Sequence, residues 1–247
     1  MTRTIDLNAD LGEGYNDEAI LPFVSSCNIA CGGHTGDWET ITQTIRLAKD
    51  SSVTLGAHPS YPDRDGFGRR SIEIDRSTLL KALGEQLDLI KSVADKLDAK
   101  IEHIKPHGAL YNDAARSRIL AELIIEASQA TFPQATIVGP PHGALVEAGN
   151  LRNVKSRREG FADRQYLDDG SLMPRSSKGA VIEDIDGQVE QAIRLAEGQG
   201  VTSLDGQLVA LSVETICLHG DTKGAAASAQ AIHQALTKQG FVIQAPA

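Results

Sequence analysis

Acidic, basic and imidazole side chains recur where short apolar runs of this chain end. The first run ends in Asp6, Asn8 and Asp10 and is followed by Glu13. Later runs end near further groups of the same kinds: Cys31, His34 and Asp37; His58; Lys105 and His107; His142; Glu159, Asp163 and Arg164; His219 and Asp221. Carboxylates and imidazoles transfer protons, while lysine and arginine bind anionic groups. Together these residues predict an enzyme site for a small polar or anionic substrate.

Histidines are concentrated at those ends. His103 and His233 fall inside predicted elements, but the other five of the seven lie at the ends: His34, His58, His107, His142 and His219. A single histidine after a strand is usually a loop residue or a hydrogen-bonded core residue. Random placement would scatter histidines over helices and surfaces, so their concentration favours a catalytic site.

Metal-binding motifs are weak in this sequence. The alternation of Asp6, Asn8 and Asp10 lacks the glycine and distal glutamate of an EF-hand calcium loop. The spacing Cys27-x₃-Cys31-x₂-His34 has no second cysteine pair beside it. Two reduced thiols are therefore favoured over a zinc site.

Two arginine-containing segments leave alternatives open. The segment 66–70 is either a solvated turn or a flexible loop that carries Arg69 and Arg70 to a carboxylate or phosphate. The neighbouring His58 favours binding. In the segment 160–164, Asp163 and Arg164 either form a structural ion pair or belong to the site. Lys178 and Lys223 are expected to be solvated.

The elements that must position these residues alternate between short strands and longer helices. The predicted strands are 4–8, 28–31, 53–57, 101–105, 136–139, 154–160 and 214–218. Apolar residues recur at helical spacing in 41–48, 79–93, 119–124, 189–196 and 227–236. The pentapeptide at 106–110 recurs at 141–145, each time after a strand, which suits repeated βα units.

This alternation indicates parallel βαβ units. About seven of them predict an α/β fold of the (β/α)-barrel type, with seven strands, as one domain over residues 1–247. An open doubly wound sheet is the alternative. Active sites of barrels form at the carboxyl ends of the strands, where the polar residues lie.

Composition excludes several classes of protein. The formal net charge of −9 and the 4% of aromatic residues disfavour nucleic-acid binding. Three cysteines are too few for a disulfide scaffold in 247 residues. The sequence shows neither the apolar run of a signal peptide nor a membrane-spanning stretch, so we expect a cytoplasmic protein.

Seven stretches of the chain resemble the LamB/YcsF family and follow one another in the family's order. They are 6–13, 27–37, 56–63, 66–70, 105–112, 159–164 and 216–222. Thr35 stands where the family usually has alanine, a small departure. The resemblance implies a seven-stranded barrel related to polysaccharide-deacetylase and glycoside-hydrolase barrels. It also implies ATP-dependent opening of 5-oxo-L-proline to glutamate, in a complex with partner subunits B and C.

Such a reaction needs acid/base groups, cations for phosphate and a ligand for the substrate carboxylate. The candidates for catalysis are Asp10, Glu13, His34, His58 and Lys105. The candidates for binding substrate or phosphate are Asn8, Arg69, Arg70, His107, Glu159, Arg164 and His219. Asp6, Asp10 and Asp221 are candidates for holding Mg²⁺ carried with ATP.

The sequence has no Gly-x₄-Gly-Lys-Ser/Thr phosphate loop. ATP would then be bound by rim loops and helix N-termini, or with a partner's help. We therefore expect this chain to carry the lactam-opening rim but not to complete turnover alone. Two rival functions remain: a metal-dependent deacetylase or carbohydrate hydrolase using Asp10, His34 and His58, and a non-enzymatic sensor that binds a small acid at the rim.

Overall fold

Seven parallel strands close into a barrel in the computed structural model of the chain, which describes residues 2–222 and 224–246. The barrel strands are β1 (Arg3–Leu11), β2 (Ser26–Ala30), β3 (Thr54–His58), β4 (Ile101–Ile104), β5 (Thr136–Gly139), β6 (Ser156–Phe161) and β9 (Thr215–His219). They pair in this order, and β9 pairs back onto β1. The predicted seven-stranded barrel is confirmed, and the open doubly wound sheet is wrong because each of the seven strands pairs with two others, which leaves the sheet without an open edge.

Helices surround the barrel, with their apolar faces packed on its outer wall. They are α1 (Trp38–Asp50), α2 (Arg76–Lys96), α3 (Gly108–Arg116), α4 (Arg118–Thr131), α5 (Ala144–Leu151), α6 (Ile185–Ala196) and α7 (Ala225–Lys238). Short 3₁₀ turns at Asp17–Ala19 and Leu21–Phe23 follow β1. A hairpin of β7 (Val201–Thr202) and β8 (Leu208–Val209) precedes β9, and β10 (Phe241–Ile243) pairs with the first residues of β1. Among the described residues, no helix is both long and apolar enough to cross a membrane.

Apolar spacing and capping residues explain where the helices form. In α2, Leu79, Leu83 and Leu87 are each 1% exposed and share the face toward the barrel. Asp37 begins α1 by accepting a hydrogen bond from the Thr40 amide while the Thr40 hydroxyl accepts one from the Asp37 amide. Asp37 therefore acts as a helix cap outside the cleft, although the sequence grouped it with the residues at the end of the second strand.

The interior of the barrel is polar, whereas such barrels are usually filled by branched apolar side chains. Asn8 donates to Glu159 Oε1 at 3.0 Å and to Thr215 Oγ1 at 2.6 Å. Asn28 donates to Asn8 Oδ1 at 2.8 Å, and His103 Nε2 lies 2.8 Å from Asn28 Oδ1. A hydrogen-bonded interior layer of this kind fixes side-chain positions. It forms the floor beneath the residues at the rim.

Gly56 leaves the space that His103 occupies in that layer. A Cβ at Gly56 would lie 2.2 Å from His103 Nε2, so a Gly56→Ala variant must displace a hydrogen-bonded ring. We expect it to lower the free energy of unfolding by about 1–3 kcal/mol, measured by chemical denaturation. Gly84→Ala is the matched control, because nothing lies within 4 Å of its Cβ on α2. It should raise stability by about 0.5–1 kcal/mol, and equal effects of the two variants would contradict this packing.

Candidate active site

The carboxyl ends of the barrel strands surround a cleft with a volume of about 450 Å³. Seven residues that the sequence singled out line it: Asp10, His58, Arg69, Lys105, His107, Arg164 and His219. Glu13 and His34 are buried directly behind the histidines, and Asn8 and Glu159 are buried beneath them. The rim thus brings most of the predicted site residues together.

Lys105 is the buried cation at the centre of the site. Its Nζ lies 2.9 Å from Asp10 Oδ1 and 3.0 Å from Glu159 Oε1, and it donates to Cys217 Sγ at 3.0 Å. Burial alone would lower the pKa of Lys105, but Asp10 and Glu159 hold it well above its usual range. Burial likewise opposes ionisation of Asp10, but His58 and Lys105 hold its pKa well below its usual range. The two groups therefore form a buried ion pair at neutral pH.

Three histidines and Glu13 pack side by side next to that ion pair. His58 Nε2 lies 3.3 Å from Asp10 Oδ2 and 3.0 Å from His107 Nδ1. His107 Nδ1 lies 3.3 Å from Glu13 Oε1, which His34 Nε2 approaches to 3.0 Å. The rings of His34 and His107 stack with centroids 3.6 Å apart. Burial lowers the pKa values of His34 and His107, so both rings are neutral near pH 7.

The loop at 66–70 positions His107 and the start of α3. His107 Nε2 lies 3.0 Å from the Phe67 carbonyl oxygen, and the Ala109 amide donates to the Gly68 carbonyl at 2.9 Å. Gly108 has a φ of 57°, and a Cβ there would lie 2.5 Å from the Gly68 oxygen. Glycine is therefore required where the loop meets the helix.

His219 and Asp163, at the carboxyl ends of β9 and β6, form a second pair. His219 Nδ1 lies 2.9 Å from Asp163 Oδ2, and the His219 amide donates to the same oxygen at 3.1 Å. Burial opposes ionisation of Asp163, yet His219 keeps the pKa of Asp163 below its usual value. The His219 ring also stacks on Phe161, with centroids 5.5 Å apart. Asp163 thus fixes the orientation of His219, whose Nε2 lies 3.9 Å from Asp10 Oδ2.

Arginines surround the mouth of the cleft. Arg69 pairs with Asp221, and Arg175 donates to the other oxygen of Asp221 at 2.6 Å. Arg164 is 5% exposed and donates to the carbonyls of Met173 at 2.6 Å and Ala180 at 3.3 Å. Arg164 therefore supports the loop that carries Arg175, and it does not pair with Asp163.

The structure does not bring every predicted residue to the cleft. Asp6 lies at the base of the barrel, where it contacts Arg157 Nη1 at 3.2 Å and Ser26 Oγ at 2.9 Å. The rise per strand residue separates it from Asp10 by about 13 Å along β1. The prediction that Asp6, Asp10 and Asp221 share one Mg²⁺ is therefore wrong, because Arg157, Lys105 and Arg69 respectively pair with them.

Arg70, His142, Cys27 on β2 and Cys31 directly after it lie elsewhere. Arg70 pairs with Asp63, outside the cleft lining, and its side chain is 62% exposed. His142 is exposed, and its Nε2 lies 3.5 Å from the Ala210 carbonyl. Cys27 and Cys31 are free and buried, and burial raises the pKa of Cys31 to about 12. Lys178 is exposed, and Lys223 lies outside the described residues.

Several cleft residues were not predicted from the sequence, among them Arg175 and Tyr111. Arg175 stands in the segment between β6 and α6, which carries no motif of its own. Tyr111 lies on α3 at the inner wall, and burial together with the nearby Glu159 raises its pKa well above the usual range. Tyr111 follows the pentapeptide at 106–110, so its place in that stretch was the available signal.

Comparison with known proteins identifies relatives over the whole chain. A model of the LamB/YcsF family matches residues 5–247. The A subunit of 5-oxoprolinase from Carboxydothermus hydrogenoformans is 45% identical, over 98% of this chain and 96% of that protein. The crystal structure of the lactam utilization protein from Thermus thermophilus superposes with a TM-score of 0.91 at 35% identity. That match covers 98% of this chain and 100% of the other.

A more distant likeness concerns the fold alone. A family 4 carbohydrate esterase from Streptomyces lividans superposes with a TM-score of 0.52 at 12% identity, over 97% of this chain and 91% of that one. This agrees with the predicted kinship of the barrel to deacetylase barrels.

Proposed function

This chain belongs to the LamB/YcsF family, and on that premise we propose that it is the A subunit of an ATP-dependent 5-oxoprolinase, the component that opens the lactam. The observation that carries the proposal is the buried Lys105–Asp10 pair, which lies beside His58 at the inner end of a cationic cleft. The names of the relatives at high identity support the same substrate.

5-Oxo-L-proline presents two groups to a protein, a carboxylate and a cyclic amide. The chain as a whole carries a net charge of −9, yet Lys105, Arg69, Arg164 and Arg175 all line one cleft. Clustered cations oppose the global field and attract an anionic substrate. The arginines at the mouth suit the carboxylate or a phosphate, and Lys105, which lies deeper, would stabilise the charge that develops on the lactam oxygen.

An amide is a poor electrophile, and phosphoryl transfer from ATP to the lactam oxygen would activate it. Water then adds to the ring carbon, the carbon–nitrogen bond breaks, and the nitrogen takes a proton to become the amine of glutamate. Hydrolysis of the remaining acyl phosphate by a second water releases glutamate and phosphate. In this scheme Asp10 and His58 hold and deprotonate the attacking water, and His219 is placed to protonate the leaving nitrogen.

Partner subunits B and C are proposed to help bind the ATP that donates the phosphoryl group. The sequence has no P-loop, and the carboxylates expected to hold Mg²⁺ do not converge. Magnesium is therefore proposed to enter with the nucleotide. A cytoplasmic location stays a prediction from the sequence.

Reconstitution tests the proposal. The chain, alone and co-purified with candidate B and C subunits, is incubated with 5-oxoproline and ATP, and glutamate is measured. We expect glutamate only from the mixture that contains all three subunits and ATP. Full turnover by the chain alone would remove the need for partners. No glutamate from any mixture, with release of acetate from an acetylated sugar instead, would favour the deacetylase.

Adjacent arginines provide a test of substrate binding. Arg69→Ala and Arg175→Ala each remove a cation from the cleft mouth, and we expect each to raise KM for 5-oxoproline by about 10-fold or more. Arg70→Ala is the matched control, since Arg70 pairs with Asp63 away from the cleft. Its KM should equal that of the wild type. An equal increase in all three variants would point to a general effect of surface charge.

A further inference from the structure

Two histidine rings in the site turn lone pairs toward each other. His58 Nδ1 lies 2.7 Å from the Lys105 carbonyl oxygen, and His107 Nε2 lies 3.0 Å from the Phe67 carbonyl oxygen. A carbonyl oxygen only accepts, so these two nitrogens carry the ring protons. In the neutral rings His58 Nε2 and His107 Nδ1 therefore have no hydrogen, yet they lie 3.0 Å apart. Two lone pairs at this distance repel each other unless a cation lies between them.

Two carboxylate oxygens also lie close to these unprotonated ring nitrogens. Asp10 Oδ2 lies 3.3 Å from His58 Nε2, and Glu13 Oε1 lies 3.3 Å from His107 Nδ1. The other oxygen of Asp10 is taken by Lys105 and by the Asn28 amide, each at 2.9 Å. Asp10 Oδ2 thus faces the histidines, where it can contact a cation. These side chains are at most 5% exposed, so bulk water does not screen the negative charge of the two carboxylates.

We propose that Asp10, His58 and His107 bind a divalent transition-metal ion of the Zn²⁺ type. Neighbouring ligand atoms around tetrahedral zinc, at its usual bond lengths, lie about 3.3 Å apart. The separations of 3.0 Å between the two ring nitrogens and 3.3 Å between Asp10 and His58 fit that geometry. Imidazole nitrogen selects Zn²⁺ and related ions over Mg²⁺, which prefers oxygen ligands throughout. The ligand atoms of the three residues all lie within 4.8 Å of one another.

The surroundings match those of a catalytic metal centre. All three ligands line the cleft, which leaves a fourth position open to substrate or water. The carbonyls of Lys105 and Phe67 fix the tautomers of the two histidines, as outer ligands commonly do. Glu13 Oε1, which lies 3.0 Å from His34 Nε2 and 3.3 Å from His107 Nδ1, is on the same side of the His107 ring as the proposed ion and adds negative charge there. A dication at this position lowers the pKa of a bound water, at the place where the proposed reaction needs one.

A proton shared between the two rings is the competing explanation. It would give the pair of rings a single positive charge facing both Asp10 Oδ2 and Glu13 Oε1, whereas a divalent ion supplies one charge for each carboxylate. Metal binding is measured without substrate, nucleotide or partner subunits. The inference therefore stands or falls separately from the proposed function.

Titration of chelator-treated protein with Co²⁺ tests the site. We expect the visible absorption of four-coordinate Co²⁺ to saturate at one ion per chain and to be displaced by Zn²⁺. His58→Gln and His107→Gln should each weaken binding by at least about 100-fold. His233→Gln is the control, because His233 lies on α7 against the Phe23 carbonyl, and its binding should equal that of the wild type.

Far-UV circular dichroism and thermal melting establish that each variant is folded. Should a histidine variant not fold, Asp10→Asn removes a ligand with little change of shape and should weaken Co²⁺ binding similarly. Wild-type protein that binds no stoichiometric Co²⁺ would overturn the proposal. Folded variants that bind Co²⁺ as tightly as the wild type would overturn it too, and a shared proton would then explain the close approach of the two rings.

Discussion

A Lys105→Met variant is expected to lose about 10²–10³-fold in glutamate release, because it removes the cation that lines the cleft and that we propose stabilises the negative charge developing on the lactam oxygen. It should also lower the free energy of unfolding by about 3–5 kcal/mol, since Asp10 and Glu159 are left buried without their shared cation. Methionine has nearly the shape of lysine, so lost packing contributes little. Denaturant unfolding and the reconstituted assay measure the two effects.

A second substitution separates stability from catalysis. Adding Glu159→Gln to Lys105→Met removes one of the stranded carboxylates and should restore part of the lost stability, with a coupling of about 1 kcal/mol or more. Activity should stay low, because no cation returns to the cleft. Lys81→Met, a change to a side chain that is 78% exposed on α2, should alter neither quantity. Additive stabilities in the double variant would contradict the buried network.

The sequence predicted the barrel because its signals are local. Apolar runs alternate with helical spacing, and each polar group follows its strand directly, so His34, His58, Lys105 and His107 could be assigned to one rim. The observed strand ends differ from the predicted ones by at most three residues. The β10 strand was missed because three residues carry too little pattern, and its pairing with β1 is decided by tertiary packing.

The partners of the site residues could not be predicted in the same way. Alternation places Asp6 and Asp10 on one face of β1, and the rise of the strand sets them about 13 Å apart, but their partners lie far along the chain. Arg157 holds Asp6 at the base and Lys105 holds Asp10 at the rim. Likewise, the adjacent Arg69 and Arg70 differ: Arg69 pairs with Asp221 and lines the cleft, whereas Arg70 pairs with Asp63 outside it.

The two pentapeptide copies show the same limit. His107 is buried because the loop at 66–70 covers the first copy and accepts its ring proton at Phe67. In the second copy, His142 Nε2 lies farther from a carbonyl, 3.5 Å from that of Ala210, and the side chain is exposed. Identical local sequence therefore gave a site residue in one case and a surface residue in the other. Long-range contacts decided between them.

Asp10 uses its two oxygens for different contacts: Oδ1 accepts from Lys105 and Asn28, and Oδ2 faces His58. An Asp10→Asn variant should therefore lose about 10²–10⁴-fold in activity. The introduced carbonyl can still accept from Lys105 and Asn28, and the introduced amide can donate to His58 Nε2, so the fold should persist. The negative charge facing His58 is nevertheless lost, whether it deprotonates water or binds a cation. Asp10→Ala, in contrast, leaves those partners unsatisfied and should melt at a lower temperature than Asp10→Asn.

Asp37→Asn is the matched control for that change. Asparagine caps a helix as well as aspartate does, and Asp37 lies at the start of α1 rather than in the cleft, so full activity is expected. Glutamate release by Asp10→Asn within 10-fold of the wild type would rule out a catalytic role for this carboxylate. Loss in both variants would instead indicate a general sensitivity to surface or folding changes. Loss in Asp10→Asn alone, with an unchanged circular dichroism spectrum, would locate the chemistry at the end of β1, where Lys105 and His58 meet the same side chain.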